Sequence, residues 1–457
     1  MTKKLHQTSL YKLEAFRIKF KVEMPLIQKK LLLLKRLSIK AVAVAICVVL
    51  PWNATAINHG SMTDQLLSKK LGSNLVESLL VKSLLEITEG KNKQAFNTVN
   101  ELIRNAPNFK LAYLIRGDLL TAQGNALEAF GNSSVSTIDN ANNKGELQGL
   151  RDEARTRIEY YLSTKKISQQ PNLLVEFGAG HSHLIVVDTA KSRLYLYKKV
   201  GDGLQYVADY YVTIGKNGAA KQTEGDKRTP LGLYFASAKL NRPLDAFYGE
   251  GAYPLNYPNE LDQHQKKNGS GIWLHGTPTN TYSRPPRDSD GCVVLSNPDL
   301  VALAPILQNG KVPVIIADNL EWLENDQFKQ KLESQQAEKA ALKNAIEDWR
   351  KDWVSQNTDA YLSHYSKKFF YSDGDLQKWA DYKRVIQAAK PKVAIQINDI
   401  SMFGYPGEHK THGLTEPIVV VNFEQDFKST GLQNKMRKRQ YWINENNSWK
   451  IIYEGTG

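Results

Sequence analysis

Cysteine is almost missing from this chain: its 457 residues hold two, Cys47 and Cys292. A disulfide-stapled small fold is therefore excluded. Near the N-terminus the apolar run 41–50 falls short of the roughly 18–20 residues that cross a bilayer. A strong excess of one charge is also lacking once the first segment is set aside. Residues 1–56 carry eleven Lys/Arg against two Asp/Glu, so the net +13 reduces to 49 Lys/Arg against 45 Asp/Glu over the remainder. That balance is too mild to argue for a nucleic-acid partner, and the basic cluster at 435–439 reads as solvated surface. The histidines, His181 and His183 among them, lack a cysteine or carboxylate cluster at ligand spacing, so no metal or other cofactor is implied.

What is present fits a soluble, multidomain protein. A hydrophobic content of 41% and a charged content of 23% are ordinary for globular chains,. The length is too great for one core and implies two or three domains. Residues 1–56 read as a secretory signal. Lys29, Lys30, Lys35, Arg36 and Lys40 precede the apolar run, and Ala54-Thr55-Ala56 supplies the small-residue cleavage site. The basic flank is long for such a signal, which makes Met24 an alternative start. An uncleaved anchor reaching back through Leu31–Leu34 is broken by the intervening charges. Ile46 is too large for the position before a lipoprotein Cys47. The mature chain is expected to begin near Ile57, exported to the periplasm or cell envelope. Cys292 is then its single thiol, and such a thiol is intermolecular, inertly buried, or a nucleophile.

Four segments follow. Residues 57–170 read as helical, with Leu66, Leu67, Leu71, Leu75, Leu79, Leu80, Leu84 and Leu85 at three- and four-residue spacing. Pro107 is a break, and residues 140–145 (NANNKG) are expected to be a loop. The pattern resembles a tetratricopeptide hairpin, which serves equally as a docking surface for a protein partner or as a helical cap. Residues 173–320 form a β-rich domain, a sandwich or barrel, with strands at 183–188, 193–198, 204–214, 231–236, 271–275, 292–295 and 312–317 and a helix at 298–308. Residues 321–345 form a connecting helix. In residues 346–457, Trp349, Trp353, Tyr361 and Tyr365 continue a helical pattern. Strands at 392–400, 418–427, 436–444 and 449–453 then make an α+β domain. Its order and its ending Trp449-Lys-Ile-Ile-Tyr453 resemble the nuclear-transport-factor-like (SnoaL-like) cone fold. A binding pocket or a homodimer surface is the expectation there.

The stretch 271–297 carries the chemistry. His275 ends one strand and Cys292 begins another, with a 15-residue loop between them. If those strands neighbour each other, imidazole and thiol come within reach, as cysteine activation requires. The Gly276 carbonyl is placed to accept from the second imidazole nitrogen and set the tautomer. Gly291 permits a tight turn that points the Gly291 and Cys292 N–H groups at one spot, the geometry of an oxyanion hole. On spacing alone a buried, inert thiol competes evenly with this reading.

His275-Gly-Thr, a loop, then Ser289-Asp290-Gly291-Cys292 resembles the active-site signature of the L,D-transpeptidase (YkuD-type) family. Arg228-Thr-Pro-Leu-Gly-Leu-Tyr234 is similar to that family's Thr-Pro-x-Gly-x-Tyr/Phe segment. The resemblance covers residues 173–319. It implies Cys292 as nucleophile, His275 as general base, the Gly276 carbonyl as its orienting group, and oxyanion donors on Gly291 and Cys292. It also implies an acyltransferase on peptidoglycan tetrapeptide stems, working through a Cys292 thioester as L,D-transpeptidase or L,D-carboxypeptidase. Arg287, Arg284, Ser289, Asp290 and Tyr253 are the substrate-binding candidates, with Arg287 preferred. Two departures stand out: Asp290 replaces the family's usual histidine, and Val294 stands where Arg or Asn is common. Asp290 is expected to point away from the oxyanion or to pair with Arg284 or Arg287. Members with Ser-x-Gly-Cys-Val form a branch that includes L,D-carboxypeptidases and chains with a C-terminal cone-fold domain. The alternative is a degenerate wall-binding scaffold, for which Asp290 is the best evidence.

Overall fold

The structure is a computed structural model that describes residues 74–124, 130–131, 141–163, 170–201, 203–318, 320–323, 325–389, 392–406 and 414–457. The signal segment, Met24, the start near Ile57 and the first three leucines of the helical stripe lie outside the described residues. The chain divides into two compact units at Thr164/Lys165.

The first unit is helical: α1 Leu75–Thr88, α2 Asn92–Asn105, α3 Lys110–Thr121 and α4 Ala141–Ser163. Pro107 falls between α2 and α3, where its missing N–H and fixed φ end a helix. The expected loop at 140–145 is corrected: α4 begins at Ala141 and runs through Asn142, Asn143 and Gly145. Polar residues allow a loop but do not impose one, and a 23-residue helix overrides weak local propensity,. Arg157 of α4 pairs with Glu153 and with Glu77 of α1, all three buried. Its guanidinium lies 5.5 Å over the Phe109 ring.

The second unit opens with two short strands, β1 Gln170–Pro171 and β2 Val175–Glu176. A β-rich domain follows: β3 His183–Asp188, β4 Arg193–Val200, β5 Gly203–Tyr211, β6 Ile214–Gly215, β7 Gly232–Ala236, β8 Ala252–Pro254, α5 Glu260–His264, β9 Trp273–His275, β10 Arg287–Ser289, β11 Val293–Val294, α6 Asn297–Leu307, β12 Val312–Ala317 and β13 Trp322–Leu323. A five-stranded sheet has the order β5-β4-β3-β12-β7, and a three-stranded sheet has the order β11-β9-β8. β3 and β12 are parallel, as are β9 and β11. The two sheets share one core: Ile185, Val187, Leu194 and Val314 from the first, Leu274 and Val293 from the second. Leu300, Leu303 and Leu307 of α6 close it. The strand and helix expectations are met here because alternation and β-branched runs are strong signals. α6 is started by Ser296, whose side chain accepts from the Asp299 N–H, with Pro298 in the first turn,.

The C-terminal part contains α7 Asn325–Ser355, α8 Thr358–Ser363, β14 Tyr365–Tyr371, β15 Gly374–Asp375, α9 Leu376–Ala389, β16 Val393–Gly404, β17 Ile418–Ser429, β18 Leu432–Glu445 and β19 Ser448–Thr456. Its seven-stranded sheet runs β15-β14-β19-β18-β17-β16-β2, so a strand preceding the β-rich domain completes its edge. One expectation is corrected: Tyr365 begins a strand instead of continuing a helix. The helical path turns at Gln356, which has φ of +58°, and α8 ends at Ser363. Trp349, Trp353, Tyr361 and Tyr365 still converge on one core, with Trp442 and Ile451.

The two folded parts of this second unit meet along α5 and β7. Glu260 accepts from Tyr441 Oη at 2.6 Å and from Arg439 Nη1 at 2.8 Å. Asn259 Nδ2 donates to Tyr405 Oη at 2.9 Å, His264 stacks on Phe370 at 3.8 Å, and Arg439 lies 4.5 Å over Phe235. Replacing Glu260 by Ala would strand a buried tyrosine hydroxyl and a guanidinium. That should cost roughly 1.5–3 kcal/mol, as for hydrogen bonds to charged groups. A lowered urea midpoint for Glu260→Ala, restored in part by Glu260→Gln, is the expected measurement; an unchanged midpoint for Glu260→Ala counts against this account of the interface.

Candidate active site

β9 and β11 run parallel, with Val293 opposite Leu274 and Val294 opposite His275. This register brings the ends of the 276–290 loop together and sets Cys292 beside the backbone of 271–273. His275 is buried at 1% exposure. Its Nδ1 lies 2.7 Å from the Gly276 carbonyl. A carbonyl only accepts, so Nδ1 carries the proton and Nε2 keeps the lone pair of a general base. Gly276 is needed here because a Cβ would fall 2.1 Å from Asn297 Oδ1. Tyr248 and Phe247 wall the imidazole at ring distances of 5.1 and 5.9 Å. Burial, with the Arg284 charge adding to it and the Gly276 hydrogen bond opposing it, pushes His275 down to about 4.

Cys292 is half-buried. Its Sγ donates to the Gly271 carbonyl at 3.3 Å and accepts from the Trp273 N–H. Burial pushes the thiol up to about 11; the Trp273 N–H works against this and Asp290 adds to it. The site therefore rests as a neutral thiol and a neutral imidazole. The thiol's hydrogen bond goes to Gly271 and not to the imidazole. Such bonds often form only in the substrate complex.

The turn before Cys292 departs from expectation. Gly291 has φ of +126°, and a Cβ there would lie 2.8 Å from the Arg228 carbonyl. Its N–H is engaged by Ser289 Oγ at 3.2 Å, so it is not the free oxyanion donor expected of it. Ser289 Oγ in turn donates to the Cys292 carbonyl at 2.6 Å. Ser289, 2% exposed, is thus a brace of the turn and not a substrate contact. The Cys292 N–H lies outside the strand ladder and meets no acceptor among the described residues.

The other candidates separate clearly. Tyr253 pairs with Leu274 across β8 and β9 and is 3% exposed in the core, so it is corrected from ligand contact to packing residue. Asp290 is 75% exposed and lies 3.8 Å from Lys227. It pairs with Lys227 and not with Arg284 or Arg287, and its charge still acts on the Cys292 thiol. Arg287 is exposed on β10. Arg284 is the arginine whose charge reaches both His275 and Cys292. Asp288 accepts from its Nε at 3.0 Å, Phe247 faces its guanidinium at 4.9 Å, and its main-chain carbonyl accepts from Tyr211 and Thr213. Its Nη1 is buried without a hydrogen-bond partner. Sequence reasoning missed Thr229, Phe247, Tyr248, Trp273 and Asn297. Of these, Thr229 sat in the Thr-Pro-Leu-Gly-Leu-Tyr segment and Trp273 and Asn297 lay inside the 271–297 stretch, whereas Phe247 and Tyr248 carried no signal.

A cavity lies in the C-terminal part, lined by Trp353, Lys383, Gln387, Gln425 and Lys438 among others. Lys383 is buried among Trp353, Tyr361 and Trp379, with its Nζ 4.3–5.3 Å from their rings. Burial lowers it to about 8 although Glu454 opposes the shift.

Residues 182–316 match the L,D-transpeptidase catalytic domain family, YkuD, and residues 341–455 match the Cds6 C-terminal NTF2-like domain family. The chain therefore carries a YkuD-type domain followed by an NTF2-like domain, after N-terminal helices. Among solved structures it is similar to the helical cell shape determining protein Pgp2 from Campylobacter jejuni, with 26% identity and a TM-score of 0.52 over 62% of this chain and 95% of that one. A point mutant of Pgp2 matches with the same identity and TM-score over 93% of its length. Bd1075 of Bdellovibrio bacteriovorus shares the fold, at 24% identity and a TM-score of 0.50 over 63% of this chain and 99% of that one. No curated protein matches.

The two pKa shifts predict distinctive pH behaviour. A base lowered to about 4 stays neutral and competent down to that pH, so the acid limb of kcat/KM should fall near 4 and well below 6.5,. A thiol raised to about 11 should be alkylated slowly by iodoacetamide at pH 7, with the rate rising above pH 9,. Fast alkylation at neutral pH would contradict the resting neutral thiol.

Proposed function

We propose that this protein is an exported cysteine acyltransferase that acts on peptidoglycan tetrapeptide stems. The observation that carries the reading is His275, oriented by Gly276, on a strand parallel to the one that Cys292 immediately precedes. The Cys292 thiol gives its proton to His275 Nε2 as Sγ attacks the carbonyl of the third stem residue. The Cys292 N–H receives the oxyanion. Collapse breaks the C–N bond, and His275 returns the proton to the departing D-alanine amine. The thioester then passes to an acceptor whose proton His275 takes: an amine completes L,D-transpeptidase turnover, and water completes L,D-carboxypeptidase turnover. Sγ leaves as the thiolate and recovers that proton.

Arg284, with an unpartnered Nη1 and a fixed backbone, is our candidate for the stem-peptide carboxylate, displacing Arg287,. Asp290 is exposed and pairs toward Lys227, which partly offsets the charge it exerts on Cys292 and is compatible with the enzyme as much as with the degenerate scaffold. Export rests on the basic flank, the apolar run and Ala54-Thr55-Ala56. Among the described residues no helix is long and apolar enough to cross a membrane. The lysine-floored cavity supports reading the NTF2-like domain as a binding pocket. We keep the first 56 residues as the signal, 57–170 as a docking region for a protein partner, 173–320 as the catalytic domain, 321–345 as the connecting helix and 346–457 as the cone fold.

On purified muropeptides, wild-type protein should consume tetrapeptide stems and Cys292→Ala should leave them intact; equal behaviour of the two sinks the catalytic reading. Tripeptides among the products identify carboxypeptidase turnover, and dimers joined through two diaminopimelates identify transpeptidase turnover. Arg284→Met should lower kcat/KM roughly ten- to hundred-fold, mainly through KM, the range of one charge-assisted hydrogen bond. Loss in Arg287→Met instead would reassign the carboxylate contact.

A further inference from the structure

Three chain segments meet behind the Gly291–Cys292 peptide, and one side chain joins them. Thr229 is fully buried, and its hydroxyl donates to the Gly291 carbonyl at 3.0 Å while accepting the Gly215 N–H at 2.9 Å. Its own backbone is anchored at both ends: its N–H donates to the Gly218 carbonyl at 2.9 Å, and its carbonyl accepts from Lys221 at 3.3 Å. The approach is too close for side chains, since a Cβ on Gly215 would lie 2.3 Å from the Lys227 carbonyl.

The Gly291 carbonyl and the Cys292 N–H are opposite ends of one planar peptide unit. A bond that holds the carbonyl therefore fixes where the N–H points. It also polarises the amide and makes that N–H a stronger donor. Ser289 pins the peptides on either side, through the Gly291 N–H and the Cys292 carbonyl. The Cys292 N–H is then the group in the turn that remains for a substrate oxygen.

We propose that Thr229 is a positioning residue for acyl transfer, its hydroxyl aiming the Cys292 N–H at the oxyanion through the shared peptide plane. The inference rests on the cysteine acyltransferase reading. It gives the threonine of the Thr-Pro-Leu-Gly-Leu-Tyr segment a task it performs without touching substrate.

The test compares Thr229→Val, which keeps the volume and removes the hydroxyl, with Thr229→Ser, which keeps the hydroxyl, in the full chain. Thr229→Val should lose roughly ten- to hundred-fold in kcat on tetrapeptide muropeptides, somewhat less than losing an oxyanion donor outright. KM should stay within about two-fold, because the missing contact matters only as charge develops. Iodoacetamide alkylation of Cys292 should be unchanged, since displacement at a saturated carbon builds no oxyanion. Thr229→Ser should recover most of kcat. The Cys292 amide resonance should move in the Val variant and not in the Ser variant, a readout that needs no substrate. The proposal is overturned if Thr229→Val keeps kcat within two-fold while Cys292→Ala abolishes turnover. It is equally overturned if alkylation and kcat fall together, which marks a merely structural role. Should wild type and Cys292→Ala prove equally inert, the functional reading fails by itself. An unmoved Cys292 amide in Thr229→Val would then overturn the positioning claim.

Discussion

The parallel pairing of Val293 and Val294 with Leu274 and His275 is the contact on which the site depends. β11 is only two residues long and β9 three, so neither would hold its place alone,. They are held by what they bury: Leu274 and Val293 enter the core shared with the five-stranded sheet, and Thr213 bridges to Val294. A one-residue slip would turn His275 into that core and bring Leu274 to the site face. The packing that excludes water from the core therefore also sets the reach between imidazole and thiol.

The electrostatics follow from the same burial. Desolvation disfavours every charged form, so the imidazole and the thiol both rest neutral,. Positive charge is supplied at a distance by Arg284, which Asp288 and Phe247 hold in place. Negative charge is kept outside, where Asp290 faces solvent and Lys227. The departure from the family's usual histidine still reaches the sulfur: the Asp290 charge adds to burial in raising the Cys292 thiol, against the smaller opposing effect of Arg284.

The second unit couples its two folded parts through groups that need each other. Glu260 satisfies Tyr441 and Arg439, and β2 completes the edge of the C-terminal sheet. Two lysines line the cavity in that domain, Lys383 and Lys438, and Lys438 donates to Glu454 at 3.0 Å. Burial would by itself raise that carboxyl, yet Lys438 and Lys383 hold it at about 2. A charged pocket is therefore built into the core that also receives Trp349 and Tyr361.

Much of this was legible in the order of residues. Periodicities of two and 3.6 placed seven strand segments between His183 and Ala317 and the helix after Ser296, but not β8, β10 or α5. The rarity of cysteine singled out Cys292, and His275-Gly276 carried its own tautomer logic. Local chemistry sufficed there because the interacting groups are neighbours along the chain. It failed where partners are distant. Ser289 and Gly291 turned out to satisfy each other, Tyr253 faces the core, and Arg287 is exposed on β10 whereas the charge of Arg284 reaches His275 and Cys292. Tyr365 became a strand residue because β14 pairs with β19, 80 or more positions later. Thr229 is the sharpest case. Its hydroxyl meets Gly291 across 62 residues of sequence, a contact that only the closure of the β6, 227–229 and 289–292 segments could decide.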